Sequence, residues 1–408
     1  MIMGQGGYNM VNLLSPKIEN LYNKLSSGTF VLEKFWNEIQ KEGTPLIEEV
    51  QGEEKVILTF LYRGNEEVNN VLIYGGVPGY RYSENIMERL PNTDILVKSY
   101  IVRNDVKFKY NFSLNYEFDN DYKKIKKNSI MDSLNPNRVV NVKDEEDPES
   151  VETVYSLVKL SKVKPEVWTI SNKQVKKGNM KLSRFESKIL GNTRRIWVYT
   201  PSEYDEKASP YNVLVLTDGF DYLNYLSTDV VLDNLIHEKK IPPTVCILVD
   251  SNKNRYEELT CNESFMKFIT EEVMPWGYEN YNITKESERT IIGGLSLGGL
   301  TASYIALKRW DIFGKVLSQS GSYWYEEQWL TKEFEKEKKL PIRFYLNAGL
   351  LEDAPYDDEP VMMEVINNMR DVLLSKGYDV KYENFQSGHD YLCWGETLAT
   401  GLINLNED

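Results

Sequence analysis

Two histidines, His237 and His389, are all that the 408 residues contain. A metal site built from three protein imidazoles is thereby excluded, and any step that needs an imidazole must use one of these two. Cysteine is almost as scarce. Cys246, Cys261 and Cys393 form an odd set without a C-x-x-C pair, which argues against a disulfide framework and a structural zinc site and fits a reducing cytoplasm. No apolar run approaches the roughly 18 residues of a membrane span. Residues 1–10 lack the basic stretch and apolar core of a secretory leader. Positive charge is in deficit: 48 Lys and Arg stand against 62 Asp and Glu, a net charge of −14. Neither nucleic acid nor an anionic membrane is an expected partner.

The length and the 41% hydrophobic content suit two domains, each with its own core. Residues 31–41 place Phe35, Trp36 and Ile39 on one helix face, with Gly43 and Pro45 as the stop. From Val106 to Tyr116 apolar and polar residues alternate strictly, the signature of an antiparallel strand with one face in water. Residues 56–62 and 68–74 read as two more strands joined by a Gly-Asn turn. The front of the chain therefore predicts a small β-sandwich. A basic run at 123–127 and an acidic run at 144–149, broken by Pro148, read as solvated linker. The expected division is 1–170 and 171–408.

Behind that division the rhythm changes. Short apolar runs at 196–199, 213–217, 245–249, 290–294, 315–318 and 343–347 alternate with helical stretches such as 361–376, which ends at Gly377. Buried strands alternating with helices predict a mostly parallel sheet covered on both faces, with ligands bound beyond the carboxyl ends of its strands.

One such strand runs into Gly294-Leu295-Ser296-Leu297-Gly298, with a helix-forming run directly after it. G-x-S-x-G between strand and helix forms a turn so tight that side chains two residues either side of the serine would collide. The serine hydroxyl is left exposed, and the Leu297 amide at the helix start faces a developing oxyanion. A phosphate loop is excluded, since neither G-x-G-x-x-G nor a Lys-Ser/Thr pair is present. Serine needs a base, and in this strand–turn–helix setting the chain order is Ser, acid, His. His389 follows Ser296, whereas His237 precedes it and reads as a surface or cap residue. The acid belongs after the strand at 343–348, where Glu352 is the choice, Asp353 the alternate and Asp357 a distant third. A second oxyanion donor is expected from Thr217-Asp218-Gly219-Phe220, through the Phe220 or the Gly219 amide.

These motifs, taken together, resemble the enterochelin (ferric enterobactin and bacillibactin) esterase family. The resemblance is carried in front by Phe35-Trp36, Gly43-Thr44-Pro45-Leu46-Ile47, Met87-Glu88-Arg89-Leu90, Thr93-Asp94 and Ser133-Leu134-Asn135-Pro136. Behind, it rests on Arg255, Glu258-Leu259 and Cys261-Asn262, on Ser318-Gln319-Ser320-Gly321-Ser322-Tyr323-Trp324, and on Gly388-His389-Asp390 before Cys393-Trp394. It implies an α/β-hydrolase domain behind an N-terminal β-sandwich, and a serine esterase that opens the lactone esters of a ferric catecholate siderophore. It implies Arg255 facing the catecholates, with Glu257 or Glu258 as the partners of a plain ion pair otherwise. Trp324, Tyr323, Phe220 and Trp394 are the candidate stacking rings, at least one of them expected in the core. No cofactor and no protein-bound metal are implied, because the iron arrives with the substrate. Another ester or depsipeptide lactone as substrate, and a non-catalytic siderophore binder, are the alternatives.

Overall fold

The chain up to Asn141 folds as one unit with Glu152–Val163, and Val142–Val151 with Lys164–Asp408 forms the second. The computed structural model describes residues 14–27, 32–78, 81–355 and 360–407. In the first unit, helix Leu32–Glu42 buries Phe35, Trp36 and Ile39, the face the sequence marks. Strands Leu46–Glu49, Lys55–Arg63, Ile95–Arg103 and Glu88–Arg89 form one antiparallel sheet. Val71–Gly75, Lys107–Leu114, Thr153–Lys159 and Arg138–Asn141 form another, with Ser129–Ile130 added to it. Phe60 from the first sheet packs edge-on against Tyr110 from the second, ring centroids 4.7 Å apart.

Two expectations are corrected in this unit. The runs at 56–62 and 68–74 do not form a hairpin. Gly64 donates to Asp94 O, and Lys55–Arg63 pairs with Ile95–Arg103, while Val71–Gly75 lies in the other sheet. Nor is the polar face of Lys107–Leu114 in water: Asn111 and Ser113 are buried, and their side chains donate to Val154 O and Ile125 O. Satisfied hydrogen bonds make that burial tolerable.

The second unit is built on eight strands, labelled here β1 (Asn179–Ser187), β2 (Asn192–Thr200), β3 (Asn212–Leu216), β4 (Thr244–Val249), β5 (Thr290–Leu295), β6 (Lys315–Gln319), β7 (Arg343–Gly349) and β8 (Asp379–Phe385), in the order β1-β2-β4-β3-β5-β6-β7-β8. The β1–β2 and β2–β4 pairings are antiparallel, and the other five are parallel. Val213–Leu216, Val245–Val249 and Ile291–Leu295 are buried along their whole length, as strands covered on both faces must be. Helix Leu297–Lys308 is buried at every position but its last. In register, Leu295 sits beside Gln319, Gln319 beside Asn347, and Gly349 beside Phe385. One sheet edge therefore carries the loops that begin at Thr217, Ser296, Ser320, Leu350 and Gln386. Among the described residues no helix is long and apolar enough to cross a membrane.

Candidate active site

Ser296 joins β5 to helix Leu297–Lys308 with φ 56° and ψ −121°, a left-handed conformation that aims its side chain off the sheet edge. The flanking glycines are there for space. A Cβ on Gly294 would lie 2.4 Å from Gly298 C, and one on Gly298 would lie 2.3 Å from Thr217 Oγ1. Neither glycine has positive φ.

The three chain-distant residues expected to meet do so. His389 Nε2 lies 2.9 Å from Ser296 Oγ, and His389 Nδ1 lies 2.6 Å from Glu352 Oε1. A carboxylate only accepts, so Nδ1 carries the proton and Nε2 turns its lone pair to the hydroxyl. Glu352 is 4% exposed, and its other oxygen accepts from Gly349 N at 2.5 Å and Ser320 Oγ at 2.8 Å. This settles the position of the carboxylate that faces the imidazole: it is that of Glu352, not Asp353, while Asp357 lies outside the described residues. His237 ends helix Thr228–His237 and is exposed.

The oxyanion side differs from expectation at one residue. The Phe220 amide donates to Asp250 Oδ1 at 3.3 Å, so it is turned toward a carboxylate. Among the described residues the Leu297 and Gly219 amides donate to no protein group. Leu297 is the first residue of its helix, where amides have no intrahelical acceptor and the dipole favours negative charge. The Thr217 and Asp218 side chains lie against Gly294 and Gly298, and Gly219, next along the chain, packs against the Leu248 backbone.

Two expected stacking rings are corrected. Tyr323 is fully buried, its hydroxyl bonded to Ser303 and Ser318, so it packs beneath the loop. Trp394 is 2% exposed, meets the His389 ring edge-on at 5.1 Å and donates to Ser320 Oγ; it supports the imidazole from inside. Phe220 and Trp324 stay half-buried. Arg255 forms a two-pronged ion pair with Asp218, at 2.7 and 2.8 Å, and not with Glu257 or Glu258. Burial alone would lower the guanidinium pKa; Asp218 more than offsets it.

Sequence reasoning missed Ser320 and Ser322. Ser320 holds Glu352, and Ser322 Oγ stands 3.3 Å from Ser296 Oγ. Both follow β6, the neighbour of the serine's own strand, and that position was the available signal.

The Esterase family model matches residues 187–405, more than half of the chain. The chain belongs to the Esterase family. It is 31% identical over 234 residues to an iron(III) enterobactin esterase of Escherichia coli O6:H1, a match covering 54% of this chain and 56% of that protein. The matched stretch thus spans little more than half of that relative's length. A second iron(III) enterobactin esterase, from Dickeya dadantii, is 25% identical across 93% of this chain and 94% of its own. The crystal structure of the enterobactin esterase from Shigella flexneri in the presence of enterobactin superposes with a TM-score of 0.69 at 25% identity, covering 91% of this chain and 97% of that one. The resemblance read from the motifs is borne out, and the α/β fold is the one seen in that structure.

Proposed function

We propose that this Esterase-family chain is a serine esterase that hydrolyses the lactone esters of a ferric catecholate trilactone siderophore, of the enterobactin or bacillibactin type, and so frees the iron. The observation that carries this reading is the Ser296–His389–Glu352 relay, 2.9 and 2.6 Å across its two links. Ser296 attacks the ester carbonyl while His389 Nε2 takes its proton, and the Leu297 and Gly219 amides receive the oxyanion. The imidazolium then protonates the departing alkoxide, leaving an acyl-serine. Water, deprotonated by the same imidazole, releases the acid. Glu352 keeps the imidazole in the useful tautomer.

Arg255, Phe220 and Trp324 are the proposed contacts for the anionic, aromatic substrate. The finer architecture belongs to the same reading: an α/β-hydrolase domain with a mostly parallel sheet and, before it along the chain, a β-sandwich domain. The expected boundary at 170/171 gives way to the division that puts Val142–Val151 and Lys164–Asp408 in the second unit. A cytoplasmic location and a small-molecule partner, without nucleic acid or membrane insertion, belong to the reading too. Support comes from the strand pairings and from the names of the relatives. Purified protein offered enterobactin, bacillibactin and short p-nitrophenyl esters tests it. Preferential opening of a trilactone is expected; turnover of the short esters alone overturns the siderophore assignment.

A further inference from the structure

A cleft of about 630 Å³ opens beside the catalytic edge, with Asp218, Phe220 and Arg255 in its wall. Twelve charged side chains line it, five basic and seven acidic. Four of those acidic groups come from Val142–Val151, the segment expected to be free linker. It is a loop, but a docked one. Asp144 grips Arg195 with both oxygens, one contact at 2.8 Å, and each side chain is 13% exposed. Glu146 grips Arg184 the same way, at 2.5 and 2.7 Å, in a more exposed pair.

Arg195 is held independently of that loop. Its Nε donates to Asp250 at 2.6 Å, and its guanidinium lies 5.0 Å from the Trp197 ring and 5.5 Å from the Phe220 ring. Such rings fix a planar cation while leaving its free edge to an acceptor. Without the loop's four carboxylates the lining would carry five basic groups and three acidic ones, reversing its sign.

We propose that Arg184 and Arg195 form a binding site for an anionic, paired-oxygen group of the ligand, and that Asp144 and Glu146 occupy it as an internal stand-in which the ligand displaces. A catecholate presents two adjacent oxygens to a guanidinium fork much as a carboxylate does. Exchanging one anion for another leaves Arg195 paired throughout, and exposed pairs such as Arg184–Glu146 contribute little to stability, so displacement is cheap. In an acidic protein this supplies a local cationic surface only when its ligand is present. The inference deepens the esterase reading by naming what the cleft beside the triad recognises.

Equilibrium dialysis of the full chain against the ferric tris-catechol complex tests it without relying on hydrolysis. The Asp144→Asn/Glu146→Gln variant should bind about 3- to 10-fold more tightly than the parent, and Arg195→Gln at least about 10-fold more weakly. Glu146→Gln alone, on an exposed side chain, should tighten binding in the same direction and carries the test if the double variant does not fold. Unchanged or weaker binding in the loop variants overturns the proposal. Trilactone turnover is measured separately: its absence with loop-dependent binding intact would remove the esterase reading and leave this site standing.

Discussion

The Ser296–His389–Glu352 edge and the charged cleft share the same strand ends but are held by opposite means. At the edge a single carboxylate, Glu352, is sealed from solvent, and both its oxygens are committed to an imidazole, an amide and a hydroxyl. In the cleft twelve charges of both signs crowd together, several in water. Groups that must stay within proton-transfer reach need the first arrangement, because desolvated hydrogen bonds fix geometry. Groups that exchange partners with an arriving anion need the second.

That contrast is open to attack by mutation, and the largest effects belong to the edge. Ser296→Ala should lower kcat on any ester by about a millionfold, with the fold intact by circular dichroism. Glu352→Gln should cost about 10⁴-fold in kcat, KM changing little, because the imidazole loses the partner that sets its tautomer. Ser320→Ala removes one of the two remaining hydrogen bonds to Glu352 and should lower kcat about tenfold. A loss matching that of Glu352→Gln would mean that the hydroxyl does more than position the acid.

The cleft gives the smallest effect, and it appears in stability. Burial first, then the charge of Asp218, pushes the Asp221 carboxyl up to about 7 from an ordinary 3.8. Tyr391 donates to it, while Arg255 opposes the shift and Asp250 adds to it. A carboxyl with a raised pKa holds its proton more tightly folded than unfolded. Its stabilising contribution is complete below about 4 and is lost as pH rises toward about 7. Asp221→Asn should flatten the fall in Tm across that window. An unaltered slope would show that charge crowding does not govern the cleft. Asp250, pushed up to about 6 by burial, acts in the same direction and is untouched by that change.

Much of the edge was legible in the sequence, for a physical reason. Gly294, Ser296 and Gly298 encode a local turn, and the order Ser, acid, His follows from strand succession. The choice between Glu352 and Asp353 was not, because it depends on which side chain points inward after β7. Contacts between residues far apart along the chain were equally hidden. Asp250 takes the Phe220 amide from 30 residues away, and Asp218 pairs with Arg255 from 37 away, where nearby Glu257 and Glu258 looked the natural partners. Alternation predicted the strand at Lys107–Leu114 but not that Asn111 and Ser113 would be buried, since period two cannot tell water from a second layer of protein. Tyr323 and Trp394 were misread for a related reason: an aromatic in a motif looks the same whether it supports a catalytic group or meets the ligand.

The proposed hydrolysis turns on which hydroxyl is the nucleophile. Mapping a fluorophosphonate adduct on the intact, folded chain by mass spectrometry tests that. A single adduct on Ser296 is the predicted result. An adduct on Ser322, only 3.3 Å away, or none at all, would contradict it.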